Sequence, residues 1–217
     1  MKRRNQKSRQ QPDYYAKKAR QDNFPARSVY KLQEIQKKNR LIQKGSRVLD
    51  LGCAPGSWLK YAAELTGDRG RVVGIDQKPV TETLPAHVQV LTEDVMALAA
   101  DPDKCASLLG GQADVVLSDM APATSGKKDV DAARSYHLSR AALDIAGRVL
   151  APGGAFVCKI FQGEDFESYI QSVKSVFHSY KIYKPRSTRK ESRETYVIGV
   201  RKKHEADPWQ HTASRPS

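Results

Sequence analysis

The chain has 217 residues, with 37 Lys or Arg against 24 Asp or Glu, a formal net charge of +13 and a pI of about 9.7. This length suits one well-buried α/β domain, and no apolar run approaches the roughly 18 residues that a membrane span needs. The basic N-terminus has no apolar segment behind it, so we expect no secretory signal. The three cysteines form no Cys-x-x-Cys pair, which predicts reduced thiols, a cytoplasmic location and no zinc or other metal site.

The positive charge is concentrated at two places. Residues 1–20 hold eight Lys or Arg against one acid, and residues 181–203 hold nine against two, so each segment has an excess of seven positive charges. Such an excess favours a polyanionic partner, and nucleic acid fits better than a membrane surface because neither end shows a long amphipathic helix. We predict a disordered basic arm at 1–12, a folded domain at 13–201 and a disordered tail at 202–217.

The segment 13–45 is predicted to be a helical extension that precedes the sheet. Val29, Leu32 and Ile35 recur at three-residue spacing, which is enough to dock one helix face, and Pro25 interrupts the segment. Lys31 lies on the helical part that follows Pro25. From its position alone, we expect Lys31 to be a solvated lysine.

Residues 48–58 predict a strand, a tight glycine turn and the start of a helix. The dinucleotide fingerprint Gly-x-Gly-x-x-Gly is incomplete here, because Ala54, two residues after Gly52, takes the place of the second glycine and Ser57 takes the place of the third. A pyrophosphate cradle is therefore disfavoured. The next strand ends in Asp76, twenty residues after Gly56, where a carboxylate can accept hydrogen bonds from both ribose hydroxyls. This combination indicates S-adenosylmethionine as the cofactor.

Further strands are predicted at 88–91, 113–118, 154–160, 179–183 and 195–200, with helices at about 130–150 and 165–177 and a loop at 101–112. Asp94 follows the strand at 88–91. It could bind an adenine amino group or cap the helix that starts at Val95, and the sequence leaves both roles open.

Two more charged residues are predicted to lie at strand ends. Asp119 follows the buried strand at 113–118, and Glu194 enters the last strand. Lys159 lies within an apolar strand, where an unpaired ammonium group would be costly, so it must reach a partner or a cleft. A crevice above the sheet could gather Asp119, Glu194 and Lys159 together with Lys31. Two cations and two anions suit a site that handles a proton and a phosphodiester better than a metal site.

The motifs at 26–32, 50–58, 118–122, 159–163 and 192–196 together resemble the FtsJ-like 2′-O-ribose RNA methyltransferases, and the resemblance covers residues 13–201. It implies a Rossmann-like, class I SAM-dependent methyltransferase fold of the α/β class, with a seven-stranded, mostly parallel sheet and helices on both faces. The family's catalytic residues would fall on Lys31, Asp119, Lys159 and Glu194. Its cofactor residues would fall on Gly52, Gly56, Trp58, Asp76, Asp94 and Asp119.

The resemblance also implies the reaction, which is transfer of a methyl group from S-adenosylmethionine to a ribose 2′-hydroxyl. The expected partner is ribosomal RNA of the large subunit or its precursor, with a uridine of 23S RNA as the expected nucleoside. We expect a monomer that contacts no membrane. Lys159 could act as a base or as a fixed cation. Two alternatives stay open, ribose methylation of transfer RNA and a non-catalytic RNA-binding factor in ribosome assembly.

Overall fold

The computed structural model describes residues 14–98, 102–189 and 191–204. The helices are α1 (Tyr14–Gln21), α2 (Val29–Asn39), α3 (Ser57–Thr66), α4 (Val95–Leu98), α5 (Pro102–Leu109), α6 (Lys128–Val149) and α7 (Phe166–Val176). The strands are β1 (Arg47–Leu51), β2 (Arg71–Asp76), β3 (Val88–Thr92), β4 (Ala113–Ser118), β5 (Leu150–Phe161), β6 (Phe177–Tyr183) and β7 (Glu194–Lys202). The predicted basic arm at 1–12, and residues 205–217 of the predicted tail, lie outside the described residues.

The seven strands form one sheet in the order β3-β2-β1-β4-β5-β7-β6. Strands β1 to β5 run parallel, and β7 runs antiparallel to both of its neighbours. The prediction of a seven-stranded, mostly parallel sheet is therefore confirmed. The carboxyl ends of β1, β2, β4 and β5 share one edge, and the antiparallel β7 begins at that same edge. In open α/β sheets this edge is where ligands bind.

Both faces of the sheet are covered by helices, because the strands carry apolar side chains on both sides. Helices α2 and α3 pack on one face, where Leu32 and Leu59 join the core. Helices α4 to α7 pack on the other face, where Ile145 of α6 and Tyr169 of α7 are fully buried. The core thus fixes the carboxyl edge of the sheet between two rigid layers.

The predicted helical extension is present as α1 and α2, and its docking corrects one expectation. Val29 and Ile35 of α2 are completely buried, as their spacing predicts. Lys31 lies between them in the chain and is only 9% exposed, so the expectation of a solvated lysine is wrong. The packing of α2 on the sheet carries Lys31 into the interior, and that packing is not visible in the local sequence.

The predicted loop at 101–112 is wrong, because residues 102–109 form α5. Proline at the first helical position lacks only an N–H that would have no intrahelical partner, so it does not prevent a helix. Cys105 and Leu109, four residues apart, are buried against the core and hold the helix in place. Gly110 and Gly111, both at positive φ, end it.

Two strands extend beyond their predicted bounds. Strand β5 begins at Leu150 instead of residue 154, since Leu150 pairs with Ala113 before an irregularity in the register. Strand β7 continues to Lys202, which the sequence assigned to the tail. The Lys202 ammonium is buried and donates to the Leu150 carbonyl at 2.9 Å, and this bond ties the last strand to the start of β5.

Within the described residues, no helix is both long and apolar enough to cross a membrane. The three cysteines are buried thiols, and all three belong to the core.

Candidate functional site

A pocket of about 350 Å³ opens at the carboxyl ends of β1, β2 and β4, and we call it the edge pocket. Its lining residues lie at or after the ends of β1, β2, β3 and β4 in the chain, with one more from α6, and they are Gly52, Ala54, Asp76, Gln77, Lys78, Asp94, Val95, Met96, Asp119, Met120, Ala121 and Leu138. Four of the six predicted cofactor residues are in this set: Gly52, Asp76, Asp94 and Asp119.

Gly52 forms the turn that opens the edge pocket. Its φ is +77°, a conformation that side chains other than glycine rarely adopt. A Cβ atom at this position would lie 2.5 Å from Cγ of Met120. Both the backbone angle and the lack of space therefore require glycine, and the chain can pass close to a ligand here.

The carboxylate of Asp76 is oriented by two backbone donors at the end of β2. Its Oδ2 atom accepts a hydrogen bond from the Ala54 amide at 2.9 Å, and Oδ1 accepts one from the Lys78 amide at 2.8 Å. A carboxylate has about four acceptor positions, so these two bonds leave capacity for a diol. This geometry suits a group that accepts hydrogen bonds from two ribose hydroxyls.

Asp94 caps a helix and also lines the edge pocket. Its Oδ1 atom accepts a hydrogen bond from the Met96 amide at 2.8 Å, so the side chain caps α4. The same residue also lines the edge pocket. Capping therefore fixes a carboxylate at the pocket wall and does not exclude contact with a ligand.

Gly56 and Trp58, the other two predicted cofactor residues, are not among the residues that line the edge pocket. Gly56 has a φ of +109° and turns the chain into α3. The indole of Trp58 is 3% exposed, and its Nε1 donates to the Ser28 carbonyl at 2.9 Å. Trp58 thus helps to join α3 to the start of α2.

Asp50 is a buried acid that the sequence analysis did not single out. It lies in β1, it is completely buried, and neither carboxylate oxygen has a hydrogen-bond partner among the described residues. Burial, with added repulsion from Asp119 and Asp76, raises the pKa of Asp50 well above its ordinary value. A buried polar group without a partner is uncommon in proteins and often marks a functional region.

The four charged residues predicted to meet do come together, through the register of the sheet. Ser118 of β4 pairs with Cys158 of β5. The residues that follow them, Asp119 and Lys159, are therefore neighbours. Strand β7 pairs Tyr196 with Lys159 and Glu194 with Phe161, which brings Glu194 to the same edge. Helix α2 supplies Lys31 from above the sheet. We call Lys31, Asp119, Lys159 and Glu194 the charged cluster.

The charged cluster consists of two ion pairs. Nζ of Lys159 lies 2.9 Å from Oδ1 of Asp119 and also donates to the Asp119 backbone carbonyl. Nζ of Lys31 lies 2.5 Å from Oε1 of Glu194. Lys159 is 6% exposed, so its charge is partnered but poorly solvated. Electrostatic interactions are stronger in such a setting than in water.

Asp119 connects the charged cluster to the edge pocket, since it belongs to both. Burial by itself raises the pKa of Asp119, but the charges of Lys159 and Lys31, together with hydrogen bonds from Tyr196 and Lys159, outweigh burial, and the pKa lies below its ordinary value. Asp119 is therefore ionised at neutral pH. It presents a fixed negative charge between the pocket and the two lysines.

Tyr196 is a member of this site that the sequence analysis did not single out. Its hydroxyl donates to Oδ1 of Asp119 at 2.6 Å, and the Lys31 ammonium lies 5.9 Å from its ring centroid. Burial, with further contributions from Asp119 and Glu194, raises the pKa of Tyr196 well above its ordinary value, so the hydroxyl stays a donor. Side chains two residues apart on a strand share a face, and this rule could have placed Tyr196 beside Glu194.

Among the residues that the structure describes, no three His, Cys, Asp or Glu side chains form a group that could hold a metal ion.

The sequence profile of the FtsJ-like methyltransferase family matches residues 24–202. A curated relative from Desulfosudis oleivorans, named "Ribosomal RNA large subunit methyltransferase E", is 55% identical over 203 residues, which cover 94% of this chain and 97% of the relative. A relative of the same name from Desulforapulum autotrophicum is also 55% identical, over 91% of this chain and 96% of its own.

The fold also resembles that of solved structures. A ribosomal RNA methyltransferase from Plasmodium falciparum superposes with a TM-score of 0.71 at 24% identity, over 82% of this chain and 98% of the other. An rRNA methylase from Clostridium thermocellum gives a TM-score of 0.58 at 19% identity, over 80% and 97% of the two chains.

The sheet order and the acid-lined pocket at its carboxyl edge define a Rossmann-like domain of the methyltransferase type. The profile match and the curated relatives then fix the family. The chain belongs to the FtsJ-like methyltransferases and is an enzyme that transfers a methyl group.

Proposed function

We propose that this protein methylates a ribose 2′-hydroxyl of large-subunit ribosomal RNA with S-adenosylmethionine as the methyl donor. The observation that carries the proposal is the Lys159–Asp119 ion pair, in which a poorly solvated ammonium lies 2.9 Å from a carboxylate of the edge pocket. One wall of the pocket thus presents groups that can hold a hydroxyl beside a bound donor.

The edge pocket fits the nucleoside part of S-adenosylmethionine. Asp76 would accept hydrogen bonds from the ribose hydroxyls, and Asp94 would accept one from the adenine amino group. Gly52 would let the backbone approach the methyl donor closely. When bound, S-adenosylmethionine supplies a methyl group activated by a sulfonium.

The charged cluster would hold the acceptor. Methyl transfer needs an aligned nucleophile, so positioning contributes much of the rate. Lys159 would contact the 2′-hydroxyl, either to remove its proton or to stabilise the oxyanion that develops. Asp119 and Tyr196 would hold Lys159 in position, and the Lys31–Glu194 pair would close the other side of the site.

Ribosomal RNA of the large subunit is the substrate we propose, because the curated relatives that cover nearly the whole chain carry that name. The net charge of +13 suits an RNA partner. A uridine in 23S RNA, in the assembled large subunit or its precursor, is our expectation for the acceptor. We also propose that the protein acts in the cytoplasm as a monomer.

The experiment that tests the activity is transfer of a labelled methyl group from S-adenosylmethionine into total RNA from cells that lack the protein. We expect label in large-subunit RNA, resistant to alkaline hydrolysis at the modified position because a 2′-O-methyl group blocks cleavage there. Label in transfer RNA alone would support the transfer-RNA alternative. RNA binding without any methyl transfer would support the assembly-factor alternative.

The role of Lys159 is tested by two substitutions on the same RNA. Lys159→Ala should reduce turnover by at least about 100-fold, the size of effect typical of general acid–base catalysis, with donor affinity unchanged. Lys159→Arg should also fail if Lys159 is a base, because a guanidinium does not deprotonate in proteins. Partial rescue by arginine would instead identify a fixed cation. Near-normal turnover of Lys159→Ala would contradict both roles.

A further inference from the structure

A second cavity, of about 370 Å³, lies where the start of α2 faces the loop between β6 and β7, and we call it the α2 cavity. Its charged lining consists of Arg27, Lys31, Arg189, Glu191 and Glu194. Three positive and two negative side chains leave an excess of one positive charge. The proposed methyl-transfer chemistry uses Lys31 and Glu194 from this set and does not account for the two arginines.

The arrangement of the two arginines favours an anion between them. A guanidinium of Arg27 donates to the Ser187 carbonyl and lies 5.6 Å from the ring centroid of Tyr15, which holds the side chain at the cavity. Burial lowers the pKa of Arg27, and repulsion from Arg189 lowers it further. A bound anion relieves repulsion between two such groups. Guanidinium groups bind phosphate with matched geometry.

The α2 cavity adjoins the charged cluster. Lys31 and Glu194, whose charged atoms are 2.5 Å apart, belong to both. In RNA the 2′-hydroxyl and the 3′-oxygen are on adjacent carbons of one ribose, so the 3′-phosphodiester is the phosphate nearest to the reacting oxygen. A ribose whose 2′-hydroxyl contacts Lys159 would therefore place that phosphate within reach of the neighbouring cavity.

We propose that the α2 cavity is a subsite for the phosphodiester on the 3′ side of the ribose that is methylated, with Arg27 and Arg189 as its ligands. A phosphodiester carries one negative charge, which matches the excess of one positive charge in the cavity. The subsite rests on the proposed function and adds a positioning device to it. It fixes the ribose through its backbone and is independent of the base.

The test combines charge removal on the protein with charge removal on the RNA. The substrate is large-subunit RNA in which a synthetic segment carries one uncharged methylphosphonate linkage 3′ of the mapped methylation site. Arg27→Gln and Arg189→Gln remove the positive charges. With native RNA, each variant should lose about 10–100-fold in kcat/KM, the range for lost hydrogen bonds to a charged group.

The decisive result is the lack of additivity. The neutral linkage should slow the wild type by a similar factor, but it should slow the two variants little further, because their partner charge is already absent. In the matched control Arg186→Gln, on an exposed arginine of the same loop, the neutral linkage should slow methylation by the same factor as in the wild type. A neutral linkage on the 5′ side should not couple to Arg27 or Arg189.

Several outcomes would overturn the subsite. If the losses multiply, or if the coupling follows the 5′ linkage, the α2 cavity does not hold the 3′-phosphodiester. If the wild type methylates the neutral-linkage RNA at its normal rate, the subsite fails while the proposed function stands. If the wild type methylates no RNA, the proposed function fails and the subsite fails with it. Equal thermal unfolding of Arg189→Gln and wild type excludes misfolding as the cause of a loss.

Discussion

At the residue scale, two aspartates near the carboxyl edge of the sheet, Asp50 and Asp119, have pKa values shifted in opposite directions. Asp119 has two lysines and a tyrosine hydroxyl around it, and its pKa lies below the ordinary value despite burial. Asp50 is completely buried without a partner among the described residues, and its pKa lies well above the ordinary value. The two side chains therefore contribute to stability with opposite dependence on pH.

For Asp50 we expect a loss of stability as pH rises. Above the ordinary aspartate pKa of about 3.9, the folded protein keeps a proton on Asp50 that the unfolded chain has lost, so a rise in pH favours unfolding. Asp50→Asn removes this titration. The free energy of unfolding of Asp50→Asn minus that of the wild type should therefore increase by up to about 1.4 kcal/mol per pH unit above pH 4. Urea unfolding between pH 5 and 8 measures the difference, and a constant difference would contradict the prediction.

For Asp119 we expect the opposite pH dependence of stability. Its lowered pKa means that its stabilising effect is present above the ordinary aspartate pKa and is lost as pH falls through the folded-state pKa. Asp119→Asn leaves Lys159 poorly paired in the interior, which should cost about 3–5 kcal/mol near neutral pH. The same urea titration should show that the cost of Asp119→Asn shrinks at low pH. A cost that does not change with pH would mean that the charge of Asp119 has no part in stability.

The third prediction at this scale concerns the methyl donor. Asp76→Ala should weaken S-adenosylmethionine by about 1–3 kcal/mol, the effect of losing hydrogen bonds to a charged acceptor. Isothermal titration calorimetry on the folded variant measures it. Asp68→Ala is the matched control, because Asp68 is an aspartate in the turn between α3 and β2 and its side chain is fully exposed. Equal affinities of Asp76→Ala and the wild type would refute the assignment of Asp76 to the ribose.

At the scale of elements, α2 holds the loop that leads into β7. Glu34 of α2 accepts hydrogen bonds from the Arg186 amide at 2.8 Å, the Ser187 amide at 2.9 Å and the Tyr183 hydroxyl at 3.1 Å. Burial raises the pKa of Glu34, but hydrogen bonds from Ser187 and Arg186 outweigh it, and the pKa lies below the ordinary value. This one side chain therefore fixes the loop that carries Arg189 towards Glu194.

We expect Glu34→Gln to loosen this loop, since the new amide presents N–H groups where backbone N–H groups already point. Stability should fall by about 1–3 kcal/mol, and kcat/KM for RNA should fall with it while donor affinity stays unchanged. Thermal unfolding, calorimetry and methyl transfer check the three parts. The control is Glu64→Gln, on an exposed glutamate of α3. If Glu34→Gln is unstable but fully active, the loop is not needed to form the site.

The sequence predicts the strands of this fold well, because each ends in a glycine, an acid or a basic turn after an apolar run. It does not contain the register that sets Asp119 beside Lys159, since that depends on which strands pair. The burial of Lys31 is also not visible in the sequence, because it depends on how α2 packs on the sheet. Helix α5 is missed because its flanking proline and glycines resemble a loop, whereas Tyr196 could have been found from strand alternation with Glu194.

At the scale of the whole molecule, the positive excess is concentrated in two segments of the chain. The positive excess of seven in residues 181–203 belongs to the loop and strand beside the charged cluster. An equal excess in residues 1–20 precedes α2 and continues through α1. Both segments therefore lie next in the chain to elements that build the α2 cavity. This distribution suits an RNA strand that contacts the protein on either side of the reacting ribose.

The arm at residues 1–12 contains five of these positive charges, and its contribution can be measured by deletion. If all five neutralise phosphates of single-stranded RNA, the slope of log K against log salt should become less steep by about 3.5 when the arm is removed, at roughly 0.7 per contact. RNA affinity at low salt should fall, and donor affinity should not change. A variant with the five residues replaced by glutamine keeps the length of the arm and should match the deletion. An identical salt slope in the deletion and the full chain would mean that the arm does not contact RNA.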